Sequence, residues 1–226
     1  MGNSIRFPPN ASEGELRTAI VEAGRVAYQR GLMVSSDGNL SARTVDNQIL
    51  ITPSGLSKGR LSPEDLLLVD RDGRVLQPAA DAGLSPSSET PMHLEAYRQR
   101  PEMRAVIHAH PPYATALTVA GIPFASDVLP EVLLTLGEIP TTAYATPSSQ
   151  EDALAIRDLI KSHNAILLRQ HGSLTVGTNL DEALIALERL EHAATVIVLA
   201  QLLGHVESLP PESVALLRSM SVRFRP

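Results

Sequence analysis

Apolar residues recur at helical spacing near the start of the chain. Leu16, Ile20, Ala23, Val26 and Ala27 follow Ser12 and Glu15, a capping-box pair, and Gly31 stands where the last turn must end. An amphipathic helix is therefore predicted ahead of Gly31. Short β-type runs come next at Gln48 to Thr52, Leu66 to Asp70 and Arg74 to Gln77, the last two joined by a turn containing Asp72 and Gly73. Ser62, Pro63 and Asp65 mark one capped helical turn between them. Thr90-Pro91 is a helix start, and Pro101 closes that helix just beyond Arg100. Ala105 to His110 has the apolar run of a buried strand, Pro111 to Ala120 the pattern of a helix stopped by Gly121, and Asp152 to Ser162 that of another helix. Ala165 to Arg169 and Leu174 to Val176 read as strands on either side of His171-Gly172. Asn179 and Glu182 cap a long helix to about Leu203, whose apolar positions cover more than half its circumference.

Strand pairs joined by tight turns and interrupted by helices predict a mixed α/β architecture with much antiparallel pairing. The chain has 226 residues, 43% of them hydrophobic, which suits one domain spanning 1–226. Its net charge of -6 is spread along the sequence, and no basic stripe offers itself to nucleic acid. Met1 to Arg6 lacks the apolar core of a signal peptide, and Ala193 to Leu203 is too short and too polar to cross a membrane. A cytoplasmic protein is expected. Cysteine is absent, so a transition-metal site must draw on His, Asp or Glu.

Those residues narrow the chemistry. Side chains two apart on a strand share a face, so His108 and His110 present two imidazoles to one place, a spacing that suits a divalent metal. A catalytic zinc takes three protein ligands and keeps one position open, and His171, in a turn beside Gly172, is the best third candidate. Taken singly, each is equally readable as a half-buried strand histidine bonded to backbone. His163 and His205 fall near helix carboxyl ends and His192 within a helix, where structural roles are expected. His93 lies one turn after Glu89 and is expected to pack. Ser36-Asp37-Gly38-Asn39, Thr52-Pro53-Ser54-Gly55 and Ser87-Ser88-Glu89 have the composition of anion cradles, the third beside a helix amino terminus whose free amides favour phosphate. Each alone is also an ordinary turn. Lys58 and Glu131 are expected on the solvated surface.

In order, Gly38-Asn39-Leu40-Ser41, Ile51-Thr52-Pro53-Ser54-Gly55, Ser87-Ser88-Glu89, His108-Ala109-His110 and Gln170-His171-Gly172 resemble the motifs of the class II aldolase and adducin-head family, over about Glu15 to Gly204. The resemblance implies a three-layer α/β/α fold around a largely antiparallel mixed sheet, and a homotetramer with active sites at subunit interfaces. It implies Zn2+ on His108, His110 and His171, with Mn2+ or Co2+ as substitutes, Glu89 as catalytic acid and base, and phosphate held by Gly38, Asn39, Ser54, Gly55, Ser87 and Ser88. The expected function is carbon–carbon bond cleavage or formation in a small phosphorylated sugar through a metal-stabilised enediolate. Decarboxylation of a phosphorylated keto sugar acid, epimerisation and dehydration are the alternatives on the same site, and a non-catalytic assembly module is the alternative of another class. One departure bears on the choice: Asp127 stands where the aldolases of the family carry an aldehyde-side tyrosine, and Tyr113 occupies a different position.

Overall fold

A computed structural model of the protein describes residues 5–221, so residues 1–4 of the segment read for a leader lie outside it. Helix α1 (Glu13–Gln29) begins as its capping box requires, with the Glu15 carboxylate accepting from Ser12 N at 2.8 Å and Ser12 Oγ accepting from Glu15 N at 3.4 Å. Such a cap contributes about 1 kcal/mol. The helix ends at Arg30, and Gly31 takes the left-handed conformation, φ 71°, that releases the chain.

Seven strands follow the order β4-β3-β2-β1-β5-β7-β6. They are β1 (Asn39–Arg43), β2 (Ile49–Ile51), β3 (Leu67–Val69), β4 (Val75–Gln77), β5 (Ala105–Ala109), β6 (Ala165–Leu168) and β7 (Gly172–Gly177). Every ladder between them is antiparallel, and among the described residues parallel pairing is confined to an isolated bridge between Thr141 and Leu167, in keeping with the largely antiparallel sheet expected.

The two-residue alternation of the strands assigns the layers. Leu40, Ala42, Leu50, Ala105, Ile107 and Ala109 point to one face, where they pack against Leu16, Ile20 and Ala23 of α1 and Leu180, Ala183 and Leu187 of α6 (Leu180–Leu202). Ile49, Ile51, Val106, Leu174 and Val176 point to the other, against Met92 and Ala96 of α2 (Thr90–Gln99) and Ile156 and Ile160 of α5 (Gln150–Ile160). Burial of each such Leu or Ile is worth about 1.5–3 kcal/mol, so the sheet is held from both sides. A third cluster joins α6 to α3 (Pro112–Val119), α4 (Pro130–Thr135) and Leu167 of β6. Short helix α4 also packs against α7 (Pro211–Ser221).

Strand β1 and helices α4 and α7 extend the predicted set of elements. In β1 all five residues are buried, the apolar ones on the α1 face and Asn39, Ser41 and Arg43 on the α2 face. Polar residues at those alternate positions read as a loop. Lys58, expected in solvent, is 2% exposed, because its ammonium donates to the carbonyls of Ser36 and Leu56 and so fastens two loops together. Glu131 is exposed, as expected. Among the described residues no helix is long and apolar enough to cross a membrane.

Candidate metal centre and active site

Strand β5 lies between β1 and β7, and His108 near its end is paired with Asn39 on one side and Leu174 on the other. His110 lies just past the strand. The β6–β7 hairpin carries His171 to the same place: Gln170 takes φ 55°, and His171 N donates to Leu168 O at 3.1 Å to close the turn. Gly172 is required for a reason other than the turn itself. A Cβ there would lie 2.3 Å from Ala109 O and 2.7 Å from His110 Cδ2, so only glycine lets the hairpin approach the histidine pair.

One ligand nitrogen from each of His108, His110 and His171 falls within 4.8 Å of the others. His108 Nε2 and His110 Nε2 are 2.9 Å apart. His108 Nδ1 donates to Ser173 O at 2.9 Å, which puts that ring's proton on Nδ1 and leaves the Nε2 lone pair facing inward. Glu89, at the amino end of α2, reaches into the same space, with Oε2 3.2 Å from His108 Nε2 and Oε1 3.1 Å from His171 Nε2. The Glu89 carboxylate and His108 Nε2 thus confront each other with lone pairs, an arrangement that a cation between them would relieve.

Burial pushes His108 down to about 3, against the opposing pull of Glu89, so its imidazole is neutral and free to ligate. Burial and the neighbouring His171 lower His110 as well. For Glu89, burial works upward, but the hydrogen bond from His171, the nearby His108 and the hydrogen bond from Asn39 outweigh it and hold the carboxyl well below the usual range. His171 is raised, because Glu89 and Asp152 outweigh its burial.

Behind Glu89 runs a chain of hydrogen bonds whose donors can be assigned. Asn39 Nδ2 donates to Glu89 Oε2 at 2.7 Å, and Asn39 Oδ1 accepts from His93 Nε2 at 2.5 Å. His93 Nδ1 then accepts from Ser41 Oγ at 2.7 Å, and Ser41 Oγ accepts from Tyr97 at 2.8 Å. His93 is packed, as expected, and both of its ring nitrogens are committed to this chain rather than to a metal. His163 donates to Leu159 O near the end of α5, and His192 and His205 are exposed.

The remaining candidates lie around this centre. A Cβ on Gly38, φ 73°, would lie 2.8 Å from His108 O, so the loop before β1 hugs β5. Segments 52–55 and 85–88 run side by side, with Ser54 N donating to Ser85 O at 2.9 Å and Ser87 N to Thr52 O at 3.2 Å. Ser54, Gly55 and Ser88 are exposed there, Ser87 is buried, and Ser88 Oγ meets Ser148 Oγ at 2.7 Å. The amides at the start of α2 are already used: Glu89 N donates to Ser87 Oγ, Thr90 N to Ser87 O, and Met92 N to Glu89 O. The free helix-end amides expected beside Ser88 are therefore not available at those positions.

Asp152 joins the centre without a sequence signal. Buried at 3% exposure in the first turn of α5, it brings a carboxylate oxygen within 4.8 Å of ligand atoms of both Glu89 and His171. Burial pushes its carboxyl up to about 6, with Glu89 adding to the rise. In sequence it is one more acid among Glu151 and Asp158, and nothing local distinguishes it.

The Class II Aldolase and Adducin N-terminal domain model matches residues 18–198. The chain belongs to that family. It is 35% identical to the 3-oxo-tetronate 4-phosphate decarboxylase of Haemophilus influenzae, over 77% of this chain and 83% of that protein. It is 38% identical to the methylthioribulose-1-phosphate dehydratase of Methylococcus capsulatus, over 80% and 92%. The solved L-fuculose-1-phosphate aldolase of Thermus thermophilus superposes with a TM-score of 0.73 at 33% identity, over 86% of this chain and 98% of that one. Class II aldolase family members of three activities thus share this fold, and the chain is an enzyme of their superfamily. Membership implies a divalent metal. Three converging imidazoles, one with its lone pair fixed inward, and an ionised carboxylate are a donor set that zinc accepts without thiolates.

Proposed function

We propose that the protein is a metal-dependent carbon–carbon lyase acting on a small phosphorylated ketose or keto sugar acid, with His108, His110 and His171 holding Zn2+, or Mn2+ or Co2+ in its place. The observation that carries this is the position of Glu89, whose two carboxylate oxygens reach His108 and His171 while hydrogen bonds from His171 and Asn39, with His108 nearby, keep it charged against its burial. A divalent cation, when bound there, polarises a substrate carbonyl and offsets the charge left as the neighbouring carbon bond breaks.

Glu89 moves the proton. Ionised at neutral pH, it takes a proton from the carbon beside the carbonyl in the exchange and condensation directions, and after carbon dioxide or aldehyde has left it relays to that carbon a proton drawn from solvent. Asn39 holds Oε2 and His171 Nε2 holds Oε1 at 3.1 Å, so with that nitrogen given to a metal Oε1 is the oxygen left to turn toward substrate. Ser54, Gly55, Ser87 and Ser88 are the proposed phosphate cradle, bordered by Gly38 and Asn39, and anchoring there fixes the reacting carbons relative to Glu89. A homotetramer with sites at subunit contacts belongs to the same proposal. Leu202 and Leu203 at the end of α6 and Leu216 on α7 are exposed, the kind of apolar surface a subunit contact covers.

Decarboxylation is favoured over aldol cleavage. By the family resemblance Asp127 falls at the aldehyde-side tyrosine position, and loss of carbon dioxide requires no proton donor on that side. Similarity to the 3-oxo-tetronate 4-phosphate decarboxylases supports the same choice. Zinc-loaded protein incubated with phosphorylated keto sugar acids should release carbon dioxide and leave a ketose phosphate one carbon shorter. Aldehyde release from ketose phosphates without carbon dioxide would assign aldol cleavage instead, and turnover of neither class would refute the lyase.

A further inference from the structure

Each metal-facing imidazole needs its outer nitrogen satisfied, because that bond fixes the tautomer and the ring orientation. For His108 the partner is Ser173 O, at 2.9 Å. For His110 the nearest carboxylate is that of Asp37, 3.9 Å from Nδ1, beyond direct hydrogen-bond reach. For His171, whose Nε2 faces Glu89, Nδ1 is buried and has no hydrogen-bond partner. A second buried atom in the same cluster is also unpartnered, Asp152 Oδ2. Left so, each orphan costs about 1–3 kcal/mol, and a hydrogen bond between them would remove both costs. The two side chains come from different elements, the β6–β7 hairpin and the first turn of α5, and ligand-capable atoms of the two lie within 4.8 Å. One water spans a gap of that size.

We propose that Asp152 is the positioning residue of His171: its carboxylate takes the Nδ1–H hydrogen bond, directly or through one water, and so commits Nε2 to the metal. The assignment rests on the metal-centre reading above. Direct ligation by Asp152 is the competing geometry. It fits less well, because His171 already turns Nε2 toward Glu89 and the histidine trio, leaving Nδ1 as the nitrogen in need of an acceptor.

The test compares the full-length protein with D152L and D152N, measuring zinc affinity by chelator competition and the protonation of His171 nitrogens by 15N NMR of the zinc-loaded protein. Loss of an outer-shell partner weakens metal binding by about 10–100-fold. D152L is expected to show that loss while its metal-free form still unfolds cooperatively, so that the loss reports on the metal and not on the fold, although the backbone hydrogen bond from Ser148 goes with the carboxylate. D152N keeps an acceptor oxygen and is expected to recover most of the affinity, and His171 Nδ1 should carry a proton in the parent. Zinc affinity of D152L equal to that of the parent would overturn the proposal. So would D152N as weak as D152L, or an unprotonated His171 Nδ1. A parent protein that takes up no zinc would remove the metal centre itself, a result distinct from a zinc-loaded parent matched by D152L.

Discussion

Asn39 and His108 lie opposite each other in the β1–β5 ladder, and from those positions both reach one oxygen of Glu89, Asn39 Nδ2 at 2.7 Å and His108 Nε2 at 3.2 Å. The register of two central strands therefore sets where a helix-borne carboxylate can stand. A one-residue slip of either strand would turn its own side chain to the α1 face and part the pair.

Replacing Glu89 with Gln keeps the shape and removes the charge. Zinc content should stay near that of the parent, held by the three imidazoles, while exchange of the substrate proton beside the carbonyl falls by about 10²–10⁴-fold. Proton exchange measured by NMR in deuterated water checks this, and undiminished exchange would exclude Glu89 from the acid–base role.

His171→Ala leaves two imidazoles where three are expected to bind. Zinc per chain in the purified variant, read by elemental analysis, should fall well below one. Full occupancy would remove His171 from the ligand set.

The pH dependence of folding should carry the mark of His93. Burial holds this side chain at about 4, below its ordinary 6.5. Between those values the unfolded chain takes up a proton that the folded chain refuses. Stability is therefore present above 6.5 and lost as pH falls, at about 1.4 kcal/mol per pH unit and about 3 kcal/mol across the window. Urea melts of metal-free protein should show His93→Gln with a slope shallower by one proton, whatever its absolute stability.

Gly172→Ala places a methyl carbon 2.3 Å from Ala109 O, a contact the backbone can relieve only by moving the hairpin. A loss of about 1–3 kcal/mol in folding stability is expected, of the size seen for overpacking. Zinc affinity should fall with it, since the same hairpin carries His171.

The parts legible in sequence are those fixed by neighbours in the chain. The capping box at Ser12 and Glu15, Pro91 in the first turn of α2, and the His108-His110 alternation all depend on local geometry. Strand β1 is not legible, because Asn39, Ser41 and Arg43 make it look like a loop until α2 brings His93, Tyr97 and Glu89 to meet them. Lys58 and Asp152 escape a local reading for the same reason. Each is a charged residue whose burial is decided by segments far along the chain: Ser36 receives the Lys58 ammonium, and the hairpin at residue 171 faces Asp152.

The side-by-side course of segments 52–55 and 85–88 has a practical corollary for redesign. Exposed Ser54 and Ser88 sit on connecting segments, whereas His108 and His171 are anchored by the sheet. On the proposed reading of that cradle, a library varied at the former alone changes how the phosphate is anchored and leaves the histidine cluster in place, so new specificities on this scaffold are best sought there.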